Sequence, residues 1–326
     1  MAVVATVALG FLSSALPQAE AEEAFLTRSL EKRTDDLGEM LDRRVIRALV
    51  TYDKTKFFFI KGAPRGFEFE LLEQYEEFVN RETSKDELAT QIVYIPVPFA
   101  RLLEALRDGE GDIAAAGLTI TPERENIVDF TDPYLPDVAE VIVAARHVDG
   151  LERLEDLSGR KVYVRPESSH EQHLRRLNET LEANGLAPVE IVEADDKLAA
   201  EDVLEMVNAG VVDLAVADDF VARIWSGVLT QMVVREDLVL NSGGRIAWAV
   251  RKENPELLAS LNAFIAQNKK GTLTGNILFK RYFENDKFIR NPLAADEKEK
   301  FERLKSVLIQ YSDRYGLDWL AVGAQA

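Results

Sequence analysis

The sequence predicts an α/β protein of two lobes, each a mostly parallel sheet with helices on both faces, followed by C-terminal helices. Three observations carry that expectation. Two series of alternating strand-like and helix-like segments, residues 45–117 and 161–217, follow the same β-α-β-α-β plan, and such alternation builds parallel sheets through helical crossovers. Glu140 to Ala145 leads out of the first series, and Gly243-Gly244 with the strand Arg245 to Arg251 leads back, so the chain crosses twice between lobes. The 326 residues, 47% of them apolar, leave room for about two domains that each bury a core.

Val45 to Thr51 reads as the first strand. Phe67, Leu71, Leu72, Tyr75, Phe78 and Val79 recur at helical spacing and define one apolar face. Gln91 to Val97 is the second strand. Pro98 opens a helix carrying Phe99, Leu102, Leu103 and Leu106, which Gly109 and Gly111 end before the third strand, Asp112 to Gly117. In the second series Lys161 to Arg165 is a strand, and a helix from about Ser169 carries Leu174, Leu177 and Leu181. Then come a strand over Val189 to Glu193, a helix over Ala200 to Asn208 and a strand over Val212 to Ala217. Past the return crossing, Asn254 caps a helix with Pro255 at its first position and Leu257, Leu258, Leu261, Phe264 and Ile265 inward. Residues 296–311 form an amphipathic helix with Phe301, Leu304, Leu308 and Tyr311 on one stripe. The loop Lys54 to Pro64 carries no pattern that gives its shape.

The formal charge of −18 repels phosphate backbones and argues against nucleic acid as a partner. With no cysteine in these 326 residues, neither disulfides nor an acylated lipoprotein cysteine is expected. Val3 to Leu16 is apolar and rich in small residues, and Ala19-Glu20-Ala21 suits a signal peptidase. Residues 1–21 are therefore expected to be a secretory signal, without the usual basic start. No other stretch reaches the roughly 20 apolar residues that span a bilayer, and a soluble periplasmic product is expected.

The segment with the most chemistry is Gly117-Leu118-Thr119-Ile120-Thr121-Pro122-Glu123-Arg124, running on to Val128-Asp129-Phe130-Thr131-Asp132-Pro133-Tyr134. A strand ends in a turn that opens a helix, with Thr121 as N-cap and Pro122 at the first position. It closely resembles the signature of the amino-acid-type periplasmic solute-binding proteins, and the likeness covers roughly residues 43–290. The resemblance implies the type II periplasmic-binding-protein fold with two hinge crossings, lobe one over 43–143 and 244–290 and lobe two over 144–243. It implies that Arg124 grips a ligand α-carboxylate, that Thr119 adds a hydroxyl and an amide, and that Gly117 offers its carbonyl to the ligand ammonium. Ser168 and Ser169 would face the same carboxylate, Asp218 would bind the α-amino group, and Tyr52 would cover the side chain. Read from the residues alone, Arg124 has the alternative of a surface salt bridge to Asp129 or Glu125. Asp218 has that of capping the next helix, for which Asp219 competes, and the two serines suit capping as well as binding. His170-Glu171-Gln172-His173 lacks metal-site spacing and reads as a solvated helix face. Neither metal nor cofactor is expected.

Beyond Phe283 the chain continues. Residues 268–282, Glu205 to Gly210, Gly244 to Lys252 and Tyr315-Gly316-Leu317-Asp318-Trp319-Leu320 resemble the lytic murein transglycosylase F family. That family joins a solute-binding-like regulatory module to a lysozyme-like domain acting on peptidoglycan. The resemblance makes residues 291–326 the helical start of that domain, cut before the catalytic glutamate, and glycan cleavage needs such a carboxylic acid. The expected role is a periplasmic module, free or associated with the outer membrane, that binds an amino acid or a peptidoglycan stem peptide and regulates a lytic transglycosylase. Such a module would meet peptidoglycan through the missing domain and is expected to be inactive alone. The alternative is the amino-acid receptor of an ABC transporter, against which the tail counts.

Overall fold

The computed structural model describes residues 30–84, 87–291 and 294–325, so the expected signal segment lies outside the described residues. A nine-stranded mixed sheet runs through both lobes. In lobe one β1 (Val45–Val50) lies between β4 (Gln91–Pro96) and β5 (Ile113–Thr119), parallel to both. In lobe two β8 (Lys161–Val164) lies between β9 (Glu190–Glu193) and β10 (Leu214–Asp218), again parallel. Two long strands join these halves. β7 (Leu135–Ala145) and β11 (Met232–Val250) pair antiparallel from Met232↔Ala145 to Ile246↔Leu135, with several register shifts on the way. β11 also flanks β5 and the short β6 (Asp129–Phe130), and β7 flanks β10. The two crossings expected from the sequence are thus a continuous ribbon, each strand starting well before the segment read from hydrophobicity.

The first apolar face becomes α2 (Phe67–Val79), which packs with α8 (Pro255–Asn268) on one side of lobe one. There the Trp248 ring stacks on Phe264 with centroids 6.1 Å apart, and Tyr75 meets Phe264 edge-on at 5.4 Å. The other side is covered by α3 (Leu102–Arg107), whose Leu102 and Leu106 cluster with Leu49, Ala114 and Ala249. In lobe two α5 (Ser169–Ala183) buries Leu174 and Leu181 on one face, while α6 (Ala200–Asn208) and α7 (Asp219–Ser226) cover the other. The helix α9 (Leu273–Phe283) ties the lobes together, because the Phe283 ring lies 5.2 Å from Phe67 and 4.7 Å from Phe220. Each such buried ring contributes roughly 1.5–3 kcal/mol by its removal from water.

Several details differ from the sequence reading. Asn254 takes the N-cap position of α8, but its side chain makes no cap hydrogen bond and instead donates to the Thr34 and Asp35 carbonyls. The cap comes from Asp36, whose carboxylate accepts from the Glu256 and Leu257 amides at 2.9 and 3.0 Å. Residues 36–42 therefore pack onto lobe one, through α1 (Leu37–Asp42) and the fully buried Met40. Pro98 opens a short 3₁₀ turn before α3 rather than the helix itself. Within the loop after β1, β2 (Phe58–Ile60) and β3 (Ala63–Arg65) form a hairpin around Lys61 and Gly62, both at positive φ. The amphipathic helix is α10 (Ala295–Tyr315), but Phe301, Leu304 and Tyr311 are about half exposed or more, and Leu308 lies against Gly323 of α11 (Trp319–Gln325).

Candidate functional site

β5 of lobe one ends where α4 (Pro122–Glu125) begins, and β8 of lobe two ends just before α5. Thr121 caps α4 by accepting from the Arg124 amide, which turns the Arg124 side chain back under the strand end. Arg124 is buried, not a partner in a surface salt bridge. Its Nη1 donates to the Thr119 carbonyl and its Nη2 to the Glu167 carbonyl of lobe two, both at 2.7 Å. Burial and the neighbouring Arg165 push its pKa down to about 10. Thr119 is buried and contributes its carbonyl to this bridge.

Gly117 sits in β5 at φ +68°, a conformation that favours glycine, and its amide donates to the buried Glu68 carboxylate at 2.8 Å. Glu68 also accepts from Trp248 Nε1 at 2.6 Å and from Tyr134. Burial raises its pKa despite those donors. A Cβ on Gly117 would fall 2.7 Å from Lys56 Cε, so the Lys56 stem lies directly over this glycine.

Across the interface, Ser168 caps α5 by accepting from the Glu171 amide at 3.3 Å, and its hydroxyl donates to the Arg165 carbonyl at 2.6 Å. Ser169 opens the helix, buried, and its hydroxyl has no hydrogen bond to another described residue. Asp218, at the N-cap position of α7, makes no side-chain cap bond; its carboxylate accepts from His170 Nε2 at 3.1 Å. Tyr52 is 57% exposed, 5.6 Å from the Phe57 ring and 6.0 Å from Phe59. Gly117, Thr119 and Arg124 thus gather on lobe one, Ser168, Ser169 and Asp218 on lobe two, with Tyr52 at the rim of a pocket that also meets Arg165 and Phe99.

The solvated-face reading of the His170–His173 segment is corrected here. Both histidines are buried because each turns inward to a carboxylate remote in sequence: His170 to Asp218, and His173 Nδ1 to Glu140 Oε2 at 2.6 Å. Glu140, His170 and Asp218 each bring one ligating atom to within 4.8 Å of the others. A metal ion there would have to displace the His170–Asp218 hydrogen bond. Burial pulls the His170 pKa down, but the charge on Glu140 and the bond to Asp218 outweigh it and hold it above the usual value. A raised folded-state pKa stabilises fully below the unfolded value of about 6.5 and is lost as pH rises through the folded one. His170→Gln is therefore expected to flatten the loss of melting temperature seen on raising pH above about 6.5. Superimposable pH profiles for the two proteins would refute this.

Sequence reasoning missed three residues between the lobes. Lys56 is buried, 3.2 Å from Asp53 and 4.0 Å from Glu201 of α6. Glu140, buried on β7, leaves its Oε1 without a hydrogen-bond partner. Arg165 stacks its guanidinium over Phe99 at 3.6 Å. The loop around Lys56 adds further bridges: Thr55 Oγ1 donates to Glu201 at 2.6 Å, and Lys54 pairs with Asp202 and Glu205 at 2.8 and 2.7 Å.

A model of the bacterial extracellular solute-binding proteins, family 3, matches residues 46–285. Curated relatives include a membrane-bound lytic murein transglycosylase F of Desulfosudis oleivorans, 25% identical over 284 residues, 86% of this chain and 58% of that protein. Another is the amino-acid-binding protein AabA of Dichelobacter nodosus, 27% identical over 248 residues, 74% of this chain and 88% of that protein. The chain spans little more than half the length of the transglycosylase relatives it matches. Among solved structures, an ancestral arginine-binding protein bound to arginine matches with TM-score 0.61 and 26% identity, over 74% of this chain and 99% of that one. An ancestral amino-acid-binding protein, precursor of cyclohexadienyl dehydratase, matches with TM-score 0.61 and 25% identity, over 76% and 98%. The two-lobed type II fold expected from the sequence is the fold of these neighbours. Among the described residues no helix is long and apolar enough to cross a membrane.

Proposed function

The chain belongs to the bacterial extracellular solute-binding proteins of family 3, and on that premise we propose that it binds a small carboxylate-bearing molecule between its lobes. The ligand is a free amino acid or a peptide released from peptidoglycan. The observation that carries this reading is the convergence of Gly117, Thr119 and Arg124 of lobe one on Ser168, Ser169 and Asp218 of lobe two, around strands that run from one lobe to the other. β7 and β11 serve as the hinge about which the lobes close.

Likeness to the transglycosylases over most of this chain supports a place as the N-terminal module of such an enzyme, residues 291–326 leading into its catalytic part. Closure would then bias the neighbouring domain by shifting a population. In the full-length enzyme, ligand is expected to change the rate of peptidoglycan cleavage. A transporter receptor is the second reading, favoured by the match to AabA across 88% of that protein's length. Both readings place the protein in the periplasm.

Thermal-shift measurements against free amino acids and stem peptides test the common core of the two readings. A ligand at 100 times its dissociation constant stabilises by about 2.7 kcal/mol. Arg124→Ala, still folded by circular dichroism, removes the bridge to Glu167 that sets the two lobes against each other and is expected to lose the shift. No shift with any ligand in folded wild type would sink the reading.

A further inference from the structure

We propose that the cleft selects an α-carboxylate whose α-nitrogen is uncharged, as in an N-acylated amino acid or a peptide C-terminus, with Arg165 receiving the carboxylate and Lys56 standing where a free ammonium would go. This rests on the small-molecule reading above and narrows its ligand class.

The two arginines at the interface are in opposite situations. Arg124 already spends both terminal nitrogens on the Thr119 and Glu167 carbonyls. Arg165 has its Nε buried without an acceptor, and its guanidinium makes no hydrogen bond or ion pair to any described residue. It is held flat over Phe99 at 3.6 Å, a stacking that fixes the plane of the fork. It lines the pocket that Thr51, Tyr52 and Phe99 of lobe one form with the segment 196–199 of lobe two. The Thr51 hydroxyl there is buried and likewise lacks a partner. The charges of Glu201, Asp53 and Asp218 act on this guanidinium, but none bonds to it, and a planar carboxylate could accept from the fork in bidentate fashion. The orphaned hydroxyl adds a donor beside it.

The ammonium position is taken by the protein itself. The resemblance assigns that position to Gly117 and Asp218. The Lys56 stem covers Gly117 so closely that a Cβ there would meet its Cε at 2.7 Å. Its ammonium is 3.2 Å from Asp53 and 4.0 Å from Glu201, and feels the charges of Asp218 and Arg165. Asp218 for its part is bonded to His170. A zwitterionic amino acid would bring a second cation against Lys56 inside a site of low dielectric, where like charges repel strongly. An acylated nitrogen brings none.

The test is calorimetric titration of the full chain with N-acetyl-L-arginine against L-arginine, and with N-acetyl-D-alanyl-D-alanine against D-alanine. The acylated probe of at least one pair should bind roughly tenfold or more tighter than its free partner. Arg165→Gln should weaken that binding roughly 10–100-fold, the scale of a charge-assisted hydrogen bond, with Arg165→Lys intermediate. Lys56→Met should narrow the preference by admitting the free amino acid. Free amino acids binding as well as acylated ones, or affinity unaltered in a folded Arg165→Gln protein, would overturn the proposal and leave the receptor reading standing. No binding by any probe, stem peptides included, would overturn both.

Discussion

Replacing Asp112 by asparagine is expected to cost about 3–5 kcal/mol of stability, the scale of a buried ion network that loses one partner. Asp112 is fully buried at the entry to β5 and is shared by three arginines. Arg47 Nη2 reaches it at 2.7 Å, Arg43 Nη2 at 2.8 Å and Arg251 Nη2 at 3.2 Å, and the Arg47 amide adds a bond at 2.9 Å. Arg47 and Arg251 are themselves buried. An asparagine side chain keeps the shape but removes the only carboxylate that all three share, and it points an N–H at guanidinium donors. Burial acts to raise the Asp112 pKa, but the bond to Arg47 and the charges of Arg47 and Arg43 win and hold it below the usual range. A depressed folded-state pKa contributes stability above the unfolded value of about 3.9, lost as pH falls through the folded one. Urea midpoints of wild type and Asp112→Asn should therefore differ widely at neutral pH and converge under acid. Equal midpoints at neutral pH would show that the arginines find other partners.

Much of this architecture was legible because it rests on local pattern. The apolar spacing of Phe67 to Val79 gave α2, and Ala200 to Asn208 gave α6, to within the observed boundaries. The crossing strands were read too short for a physical reason. Asp137 at positive φ and the register shifts between Arg235 and Ile246 break the alternation that marks a strand. The β2–β3 hairpin was not legible, because its turn sets Lys61, rather than the Asn, Asp or Gly that marks such turns, at positive φ before Gly62. Among interface residues, Gly117 and Arg124 stood in a recognisable motif. Lys56, Glu140 and Arg165 did not, because what they meet comes from the other lobe or from a distant strand. The same holds for His170 and His173. Their neighbours along α5 suggest solvent, and only the approach of Asp218 and Glu140 buries them.

Replacing Glu201 by glutamine is expected to open the contact between the lobes, at a cost of about 3 kcal/mol in a contact that now lacks its central charge. Glu201 is fully buried at the start of α6. Its Oε1 accepts from Thr55 at 2.6 Å and lies 4.0 Å from Lys56 Nζ, while its Oε2 has no partner. Burial and the nearby Asp53 raise its pKa, and the charge of Lys56 opposes that rise. Glutamine still offers Thr55 an oxygen but leaves Lys56 with Asp53 alone. A buried ammonium short of one counter-charge can regain it only from water. The route that disrupts least is to part the lobes, because the remaining bridges nearby, Lys54 to Asp202 and Glu205, are partly exposed and weak. The strand cores on either side need not change. Hydrogen exchange should therefore rise in residues 53–57 and at the start of α6, by roughly a hundredfold for about 3 kcal/mol, while β1 and β8 stay protected. Small-angle scattering should report a larger radius of gyration. Unchanged exchange in both segments would mean that Lys56 is held by Asp53 alone, and that the lobes are joined chiefly by the Arg124–Glu167 bridge and the Phe283 contacts.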